Sequence, residues 1–206
     1  MNNRTNGIIG ITAVIMSSCT IIITAALRTD GYNHYHKAIS ELGSVDAPNK
    51  WIFNILGFII PGILLTIFSK SLLNKFHSYN NVRHYPFYLF ISTGPCLALV
   101  GVPADMDNVQ SINSIIHIIG STGGGILWLL CALTLWWQLK KIPSWKPIAI
   151  VTFSIPFIML LAMSFVPENN PGIIQRISVT CNYAFISILA IKQLNSSYRK
   201  HIQSFN

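Results

Sequence analysis

The first apolar run, residues 7–27, reads GIIGITAVIMSSCTIIITAAL, and the longest polar stretch of the chain follows it at residues 28–50 as RTDGYNHYHKAISELGSVDAPNK. A helix needs about 20 mostly apolar residues to cross the hydrocarbon core of a bilayer, so the run predicts a membrane-spanning helix. Five further runs of this kind follow. The sequence therefore predicts an all-α integral membrane bundle of six transmembrane helices, at approximately residues 7–27, 51–73, 86–102, 114–137, 147–166 and 174–194.

The overall composition also favours a bilayer over water. Hydrophobic residues make up 51% of the chain and charged residues only 10%, whereas soluble domains carry about 25% charged residues. The mean hydropathy is +0.51. Because little sequence remains outside the six runs, we expect residues 1–206 to form a single transmembrane domain.

The charged residues alternate between the gaps that separate the apolar runs. The gaps that contain acids alternate with acid-free gaps, and the acid-free gaps and the two termini hold ten of the 14 Lys and Arg residues. Short cytoplasmic loops carry the excess of Lys and Arg, so we expect both termini to be cytoplasmic and the acidic loops to lie outside. The acids are Asp30, Glu41, Asp46, Asp105, Asp107 and Glu168.

The isoelectric point of about 9.5 does not indicate a nucleic-acid partner. The cations adjoin the apolar runs in groups of three or fewer, which is typical of membrane topology and attraction to anionic lipids. The lipid bilayer is therefore the expected partner.

The beginning of the chain has a second interpretation as a secretion signal. Arg4, the apolar run and the small residues Ala25 and Ala26 fit that pattern. The run is nevertheless longer than the roughly 7–15-residue core of a signal peptide, so we expect the first span to be retained.

Small residues inside the runs predict helix packing rather than chemistry. None of the four cysteines belongs to a Cys-x-x-Cys pair or lies in an outer loop, so they are expected to be packing residues. The glycine-rich segment 120–125 lacks the Lys-Ser/Thr of a phosphate-binding loop. Its Gly120/Gly124 pair has the four-residue spacing that lets two membrane helices approach closely.

Four ionisable residues from separate segments predict an outward-facing ligand site. Glu41, Asp105, His117 and Arg176 lie at the outer ends of predicted helices, which a compact bundle would bring together. Ionisable groups near hydrocarbon are costly and usually pair and mark function. We therefore expect Arg176 to pair with a carboxylate and the group to bind a ligand.

The same loops allow two catalytic interpretations, which would involve His36, Ser40, Glu41, Asp105 and His117 as candidates. A metal ion could be held by His36, Asp105 and His117, with His34 and Asp107 as further ligand types. Alternatively, His36 and Ser40 are four residues apart and would share a helix face as base and nucleophile. Ser40 at a helix N-cap with Glu41 in the first turn explains the same residues without catalysis, and we favour it.

A family resemblance extends over nearly the whole chain. The segment Ile39-Ser40-Glu41-Leu42-Gly43 is followed by Pro48, Trp51, Asn54 and Gly57, and later by Gly101-x-Pro103-x-Asp105, His117, Gly120 and Gln175-Arg176. In this order these residues resemble the uncharacterised membrane family catalogued as domain of unknown function 998. The resemblance implies a multi-pass protein of a bacterial plasma membrane. It implies no substrate, cofactor or mechanism.

The best function hypothesis is the binding or handling of a lipid or amphiphilic ligand at the outer leaflet. A metal-dependent or serine hydrolase acting on a lipid-linked substrate is the first alternative, and an accessory scaffold without a site is the second. The sequence alone identifies neither an enzyme activity nor a cofactor, and it does not give the oligomeric state.

The predicted topology can be checked with reporter fusions. A reporter fused after Asn206 should be cytoplasmic, and one inserted after Asn108 should lie outside, because ten cations flank one set of loops and four the other. Activity of both reporters on the same side of the membrane would contradict the six-span arrangement.

Overall fold

The chain folds into six long helices in the computed structural model, which describes residues 3–203 and their side chains as far as residue 195. No strand occurs among the described residues. The helices are α1 (Asn3–Ala26), α2 (Lys50–Phe76), α3 (Tyr85–Val100), α4 (Ile112–Leu139), α5 (Lys146–Ser164) and α6 (Pro171–Gln203). A short 3-10 helix, Ile39–Gly43, lies in the loop after α1, and we call it the loop helix.

Each predicted span coincides with one of these helices, so the all-α expectation is confirmed. Five of them are long and apolar enough to cross a membrane, and α3 is a shorter apolar helix of 16 residues. At 1.5 Å per residue α3 is about 24 Å long, somewhat less than the roughly 30 Å of a hydrocarbon core. The length and apolar composition of these helices indicate a membrane protein.

A π-helical segment, Ile55–Ile59, lies within α2 just before Pro61. Pro61 has no N–H to donate to the carbonyl of Gly57 four residues earlier. The hydroxyl of Ser17 on α1 donates to that carbonyl instead, at 2.6 Å. A hydroxyl on a neighbouring helix thus satisfies a carbonyl that would otherwise be exposed to hydrocarbon.

The six helices form a ring. Each packs against its neighbours in the sequence, and α6 closes the ring by packing along α1. The loops that hold the six acids lie together at one end, because the backbone N–H of Val45 donates to the carbonyl of Ala104 and His36 contacts the carbonyl of Asn169. We call this end, formed by residues 27–49, 101–111 and 165–170, the acid-loop end, and the opposite end the basic end.

The core is densest towards the basic end. A large cluster of buried side chains fills that half, with several aromatic rings in contact with one another: Phe68, Phe76, Phe87, Phe90, Trp145 and Phe185. A smaller cluster, which includes Ile39, Leu42, Phe53 and Phe58, lies under the loop helix. The acid-loop end is therefore the less completely filled end of the ring.

Helices α3 and α4 approach each other closely at Gly120, as the small-residue spacing predicts. A Cβ at this position would lie 2.8 Å from the carbonyl oxygen of Cys96 and 2.9 Å from the backbone nitrogen of Val100. Gly125, about one and a half turns later, has no atom within 4 Å of the equivalent position.

We predict that Gly120→Val destabilises the bundle and that Gly125→Val does so far less. The side chain added at position 120 would push against the backbone of α3, and overpacking of this kind costs about 1–3 kcal/mol. Thermal unfolding of the two variants in the same detergent measures the difference in stability. The variants are a matched pair because each replaces a glycine of α4 with valine. Equal losses would contradict the close approach at Gly120.

Candidate functional site

Arg176, in the second turn of α6, binds the loop that follows α1. Its Nη1 donates to the carbonyl oxygens of Lys37 at 3.0 Å and Gly172 at 2.9 Å. Its Nη2 donates to the phenol oxygen of Tyr32 at 2.8 Å and contacts Nδ1 of His34 at 2.9 Å. A guanidinium only donates, so Nδ1 of His34 accepts and the ring proton is on Nε2.

Two carboxylates of the loop that Arg176 binds pair with other cations. Arg28 binds Asp30 through both Nε and Nη2, and Nζ of Lys37 lies 3.2 Å from Oε2 of Glu41. Within the described part of the chain Arg176 has no ion pair, so the predicted pairing with a carboxylate is wrong. The acids are instead neutralised inside their own loop. We call these residues the Arg176 cluster: Arg28, Asp30, Tyr32, His34, Lys37, Glu41 and Arg176.

Tyr32 lies between the two arginines of this cluster. The guanidinium carbons of Arg28 and Arg176 lie 5.5 and 5.8 Å from its ring centroid, and its hydroxyl donates to the carbonyl of Ala38. Burial raises the pKa of Tyr32, and the hydrogen bond from Arg176 opposes that shift.

The ion pair between Arg28 and Asp30 keeps Asp30 charged. The hydrogen bonds from Arg28 lower the pKa of Asp30 to about 2. Three cations and two acids therefore leave the Arg176 cluster with one net positive charge while His34 is neutral.

The loop helix begins two residues earlier than the capping interpretation required. Its N-cap is Ala38, and the backbone N–H of Ala38 donates to Oε1 of Glu41 at 2.8 Å. The prediction that Ser40 is the N-cap is therefore wrong, although Glu41 does lie in the first turn. Ser40 is a buried residue inside the helix, and its N–H donates to Oε1 of Gln175 at 3.2 Å.

The structure does not bring the catalytic candidates together. His36 is exposed and contacts the carbonyl of Asn169, and no hydrogen bond joins it to Ser40 in the described residues. Among residues 3–203 no group of three His, Cys, Asp or Glu side chains is placed to hold a metal ion. His36 therefore lies apart from Asp105 and His117.

Asp105 and His117 belong to a second polar group, at the junction of α3 and α4. Oδ1 of Asp105 accepts from the N–H groups of Asp107 and Asn108, as in an Asx turn. The main chain of Asp105 exchanges two hydrogen bonds of 2.9 Å with the hydroxyl of Ser114. These contacts explain Asp105 as a residue that shapes the loop.

His117 is 7% exposed, and its Nδ1 lies 3.2 Å from the carbonyl oxygen of Val102. A carbonyl only accepts, so Nδ1 carries the proton and His117 binds the chain just after α3. No hydrogen bond or ion pair links His117 to the Arg176 cluster in the described residues. The four predicted ligand residues thus form two groups, with Glu41 and Arg176 in one and Asp105 and His117 in the other.

Gly172 contributes to the site in a way that the sequence analysis did not anticipate. A Cβ there would lie 2.5 Å from the carbonyl oxygens of both His34 and Lys37. The loop after α1 therefore rests directly on the first turn of α6. The available signal was the Pro171-Gly172 pair, since a glycine beside a helix start allows close backbone approach.

An apolar groove runs between α1 and α6 and ends at the Arg176 cluster. Its volume is about 550 Å³. Ser18 and Tyr183 lie at its deep end, and Ala26 and Arg176 lie nearest to the acid-loop end. It is lined by Ser18, Ile21, Ile22, Ala26, His34, Ile39, Arg176, Val179, Thr180 and Tyr183.

Residues 11–192 match a protein family that is described only as protein of unknown function (DUF998). The chain belongs to this family. The match confirms the resemblance found in the sequence, and it assigns no activity. No curated protein and no solved structure matches the chain.

Several of the residues that carry the family resemblance anchor the loop helix. The side-chain amide of Asn54 donates to the carbonyl of Gly43 at 2.8 Å, and a Cβ at Gly43 would overlap Asn54. The side chain of Leu42, in the loop helix, is buried. Gln175 and Arg176 hold the same loop from the side of α6. These residues of the DUF998 resemblance therefore fix the position of the loop over the ring.

We predict that His117→Leu destabilises the protein while His117→Gln does so less. Leucine would leave the Val102 carbonyl without its donor, at a cost of about 1–3 kcal/mol, whereas glutamine retains an N–H. Thermal unfolding in detergent measures both, with Asn113→Leu on the exposed face of α4 as the control. A fully stable His117→Leu protein would contradict this structural role.

Proposed function

We propose that the protein binds an anionic amphiphile at the acid-loop end, with Arg176 contacting the charged head and the groove between α1 and α6 holding the apolar chain. The observation that carries the proposal is a half-buried arginine, without an acidic partner among the described residues, at the head of an apolar groove. The function is binding or handling of a lipid at the outer leaflet of a bacterial plasma membrane.

The donor geometry of Arg176 supports an anionic head group. Arg28 uses its Nε and Nη2 as a fork for the carboxylate of Asp30. In Arg176 the same fork is not taken by an anion, because Nη2 is bonded to neutral Tyr32 and His34 and Nε has no acceptor among the described residues. A phosphate or carboxylate that displaced exposed His34 would receive two parallel charge-assisted hydrogen bonds.

The groove supports an apolar chain as the other part of the ligand. Its volume lies within the range of about 300–1,000 Å³ that is usual for small-molecule sites. Its walls on α1, Ile21, Ile22 and Ala26, are apolar, and Ile22 is 66% exposed to the surroundings. A chain in the groove would therefore lie parallel to the helices and beside the acyl chains of the bilayer.

The charge distribution supports an outward-facing site. The acid-free gaps and termini, which hold ten cations, belong to the basic end, and the positive-inside rule places such segments in the cytoplasm. Both termini would then be cytoplasmic, and the Arg176 cluster would meet lipid from the outer leaflet.

The proposal contains no catalytic step. Neither a base beside the Ser40 hydroxyl nor a three-ligand metal group is present among the described residues. A binding site needs only the charge, the donors and the groove, and all three occur together at Arg176.

We predict that Arg176→Gln weakens binding of phosphatidylglycerol about tenfold or more, since hydrogen bonds to charged groups are worth about 1.5–3 kcal/mol. Arg176→Lys should also bind weakly, because an ammonium cannot form the two-pronged contact. Photo-crosslinking of a diazirine phosphatidylglycerol in phosphatidylcholine nanodiscs measures the change. Arg83→Gln, an exposed arginine at the basic end, is the control with the same loss of charge.

A second pair of variants tests the groove without touching the loop. Ser18→Phe should fill the groove and reduce crosslinking, while Cys19→Phe, the adjacent exposed position outside the lining, should not. Equal crosslinking in Arg176→Gln, Ser18→Phe and their controls would overturn the proposed function and favour the scaffold alternative.

A further inference from the structure

We propose that a second site lies inside the ring, next to the groove, and that it takes the uncharged polar end of a neutral lipid such as a monoacylglycerol. The two sites share Ile39, Val179 and Tyr183, but the second site does not include Arg176 and does not depend on an anionic ligand. Its chemistry follows from the composition of a cavity at the acid-loop end.

The cavity is enclosed by α2, α3, α4 and α6 and has a volume of about 240 Å³. The loop helix covers it through Ile39, the only lining residue that this element contributes. The dense aromatic core lies on the basic side, so the cavity occupies the half of the ring that the core leaves unfilled. It is lined by Phe58, Leu65, Thr93, Leu97, Val100, Gly120, Ser121, Gly124, Gly125, Gln175, Ser178, Val179, Asn182 and Tyr183 as well as Ile39.

Two polar side chains on α6 lack partners at this cavity. Ser178 and Asn182 are one turn apart and only partly exposed, and neither forms a hydrogen bond with any described residue. An amide without a partner is costly within a membrane protein, where lipid offers it no hydrogen bond. A ligand with hydroxyl or ester groups would supply both donors and acceptors.

Tyr183 offers a third polar contact. The hydroxyl of Ser17 donates to the carbonyl of Gly57, so in its bond with Tyr183 the phenol must be the donor. The phenol oxygen therefore keeps a lone pair that can accept a hydrogen bond from a ligand hydroxyl.

The lining excludes a charged head group. It contains no Asp, Glu, Lys, Arg or His residue, and a charge that is buried without a partner is strongly disfavoured. The volume also limits the ligand, since about 300 Å³ is the lower end of the range for whole small-molecule ligands. The cavity therefore suits a glycerol-sized polar end and not a complete lipid.

The acyl chain would leave the cavity between α4 and α6. These two helices are not neighbours in the ring, and α5, which lies between them in sequence, contributes no lining residue. The last turn of α5 and the residue after it are highly exposed, with Leu161 at 62% and Phe165 at 80%. Gly125 lines the cavity on α4, and a Cβ there would have no atom within 4 Å, which leaves room for a chain to pass.

The test uses a monoacylglycerol that carries a diazirine next to its glycerol ester, in phosphatidylcholine nanodiscs. We expect crosslinks on the cavity-lining peptides of α4 and α6. Gly125→Leu should reduce them about tenfold or more by filling the cavity. Asn182→Leu should do the same by removing the polar partner while keeping a branched side chain with the same number of heavy atoms. Thr122→Leu adds apolar bulk at an exposed position outside the lining and should leave the crosslinks unchanged.

Size-exclusion chromatography checks that each variant is folded. If Gly125→Leu does not fold, Asn182→Leu decides the test. Unchanged crosslinks in the folded variants would overturn the proposal, as would equal labelling of the cavity by a diazirine phosphatidylglycerol. Ser18→Phe, which fills the groove without touching the loop, should leave the monoacylglycerol crosslinks unchanged. Loss of these crosslinks in that variant would mean that both lipids occupy one site, which would overturn this inference. Loss of phosphatidylglycerol binding alone concerns only the groove.

Discussion

The attachment of the loop after α1 to the first turns of α6 is the interaction on which the acid-loop end depends. Loop backbone beside a membrane must have its polar groups bound, because hydrocarbon cannot bind them. Arg176 binds the carbonyl of Lys37 and the hydroxyl of Tyr32, and Gln175 binds the N–H of Ser40. These bonds hold the loop helix over the ring, where Ile39 contributes to both the groove and the cavity. The two proposed sites therefore share one support.

The two halves of the ring are packed differently, and in the proposed function the dense half provides stability while the other half binds the ligand. Large aromatic side chains fill the basic half and leave little space. Towards the acid-loop end the residues are smaller: Gly120 allows close contact between α3 and α4, whereas Gly125 faces open space. A rigid half can thus hold the helices together while the other half keeps room for part of a lipid.

The sequence predicted the helices well and the site only in part. Apolar length and loop charge are local properties, so all six helices and the common location of the acidic loops could be predicted. The grouping of Glu41, Asp105, His117 and Arg176 could not, because it depends on which loop each side chain faces. Asp105 binds backbone N–H groups of its own loop, and His117 binds the carbonyl of Val102 just after α3. Glu41 pairs with Lys37 in its own loop. The carboxylates of Glu41 and Asp105 thus bind groups close to them in sequence. Arg176 binds carbonyl oxygens and the uncharged side chains of Tyr32 and His34 instead.

By itself, the sequence determined that this is a helical membrane protein with polar loops concentrated at one end, since these properties follow from composition along a single chain. Only the tertiary structure decided that Arg176 has no acidic partner among the described residues, that the loop helix begins at Ile39, and that a groove and a cavity adjoin each other along α6. These features depend on contacts between residues more than 100 positions apart, such as Arg176 with Tyr32 and Ser17 with Tyr183. Hydrophobic periodicity and charge counts carry no information on such contacts, because they describe each helix without its neighbours.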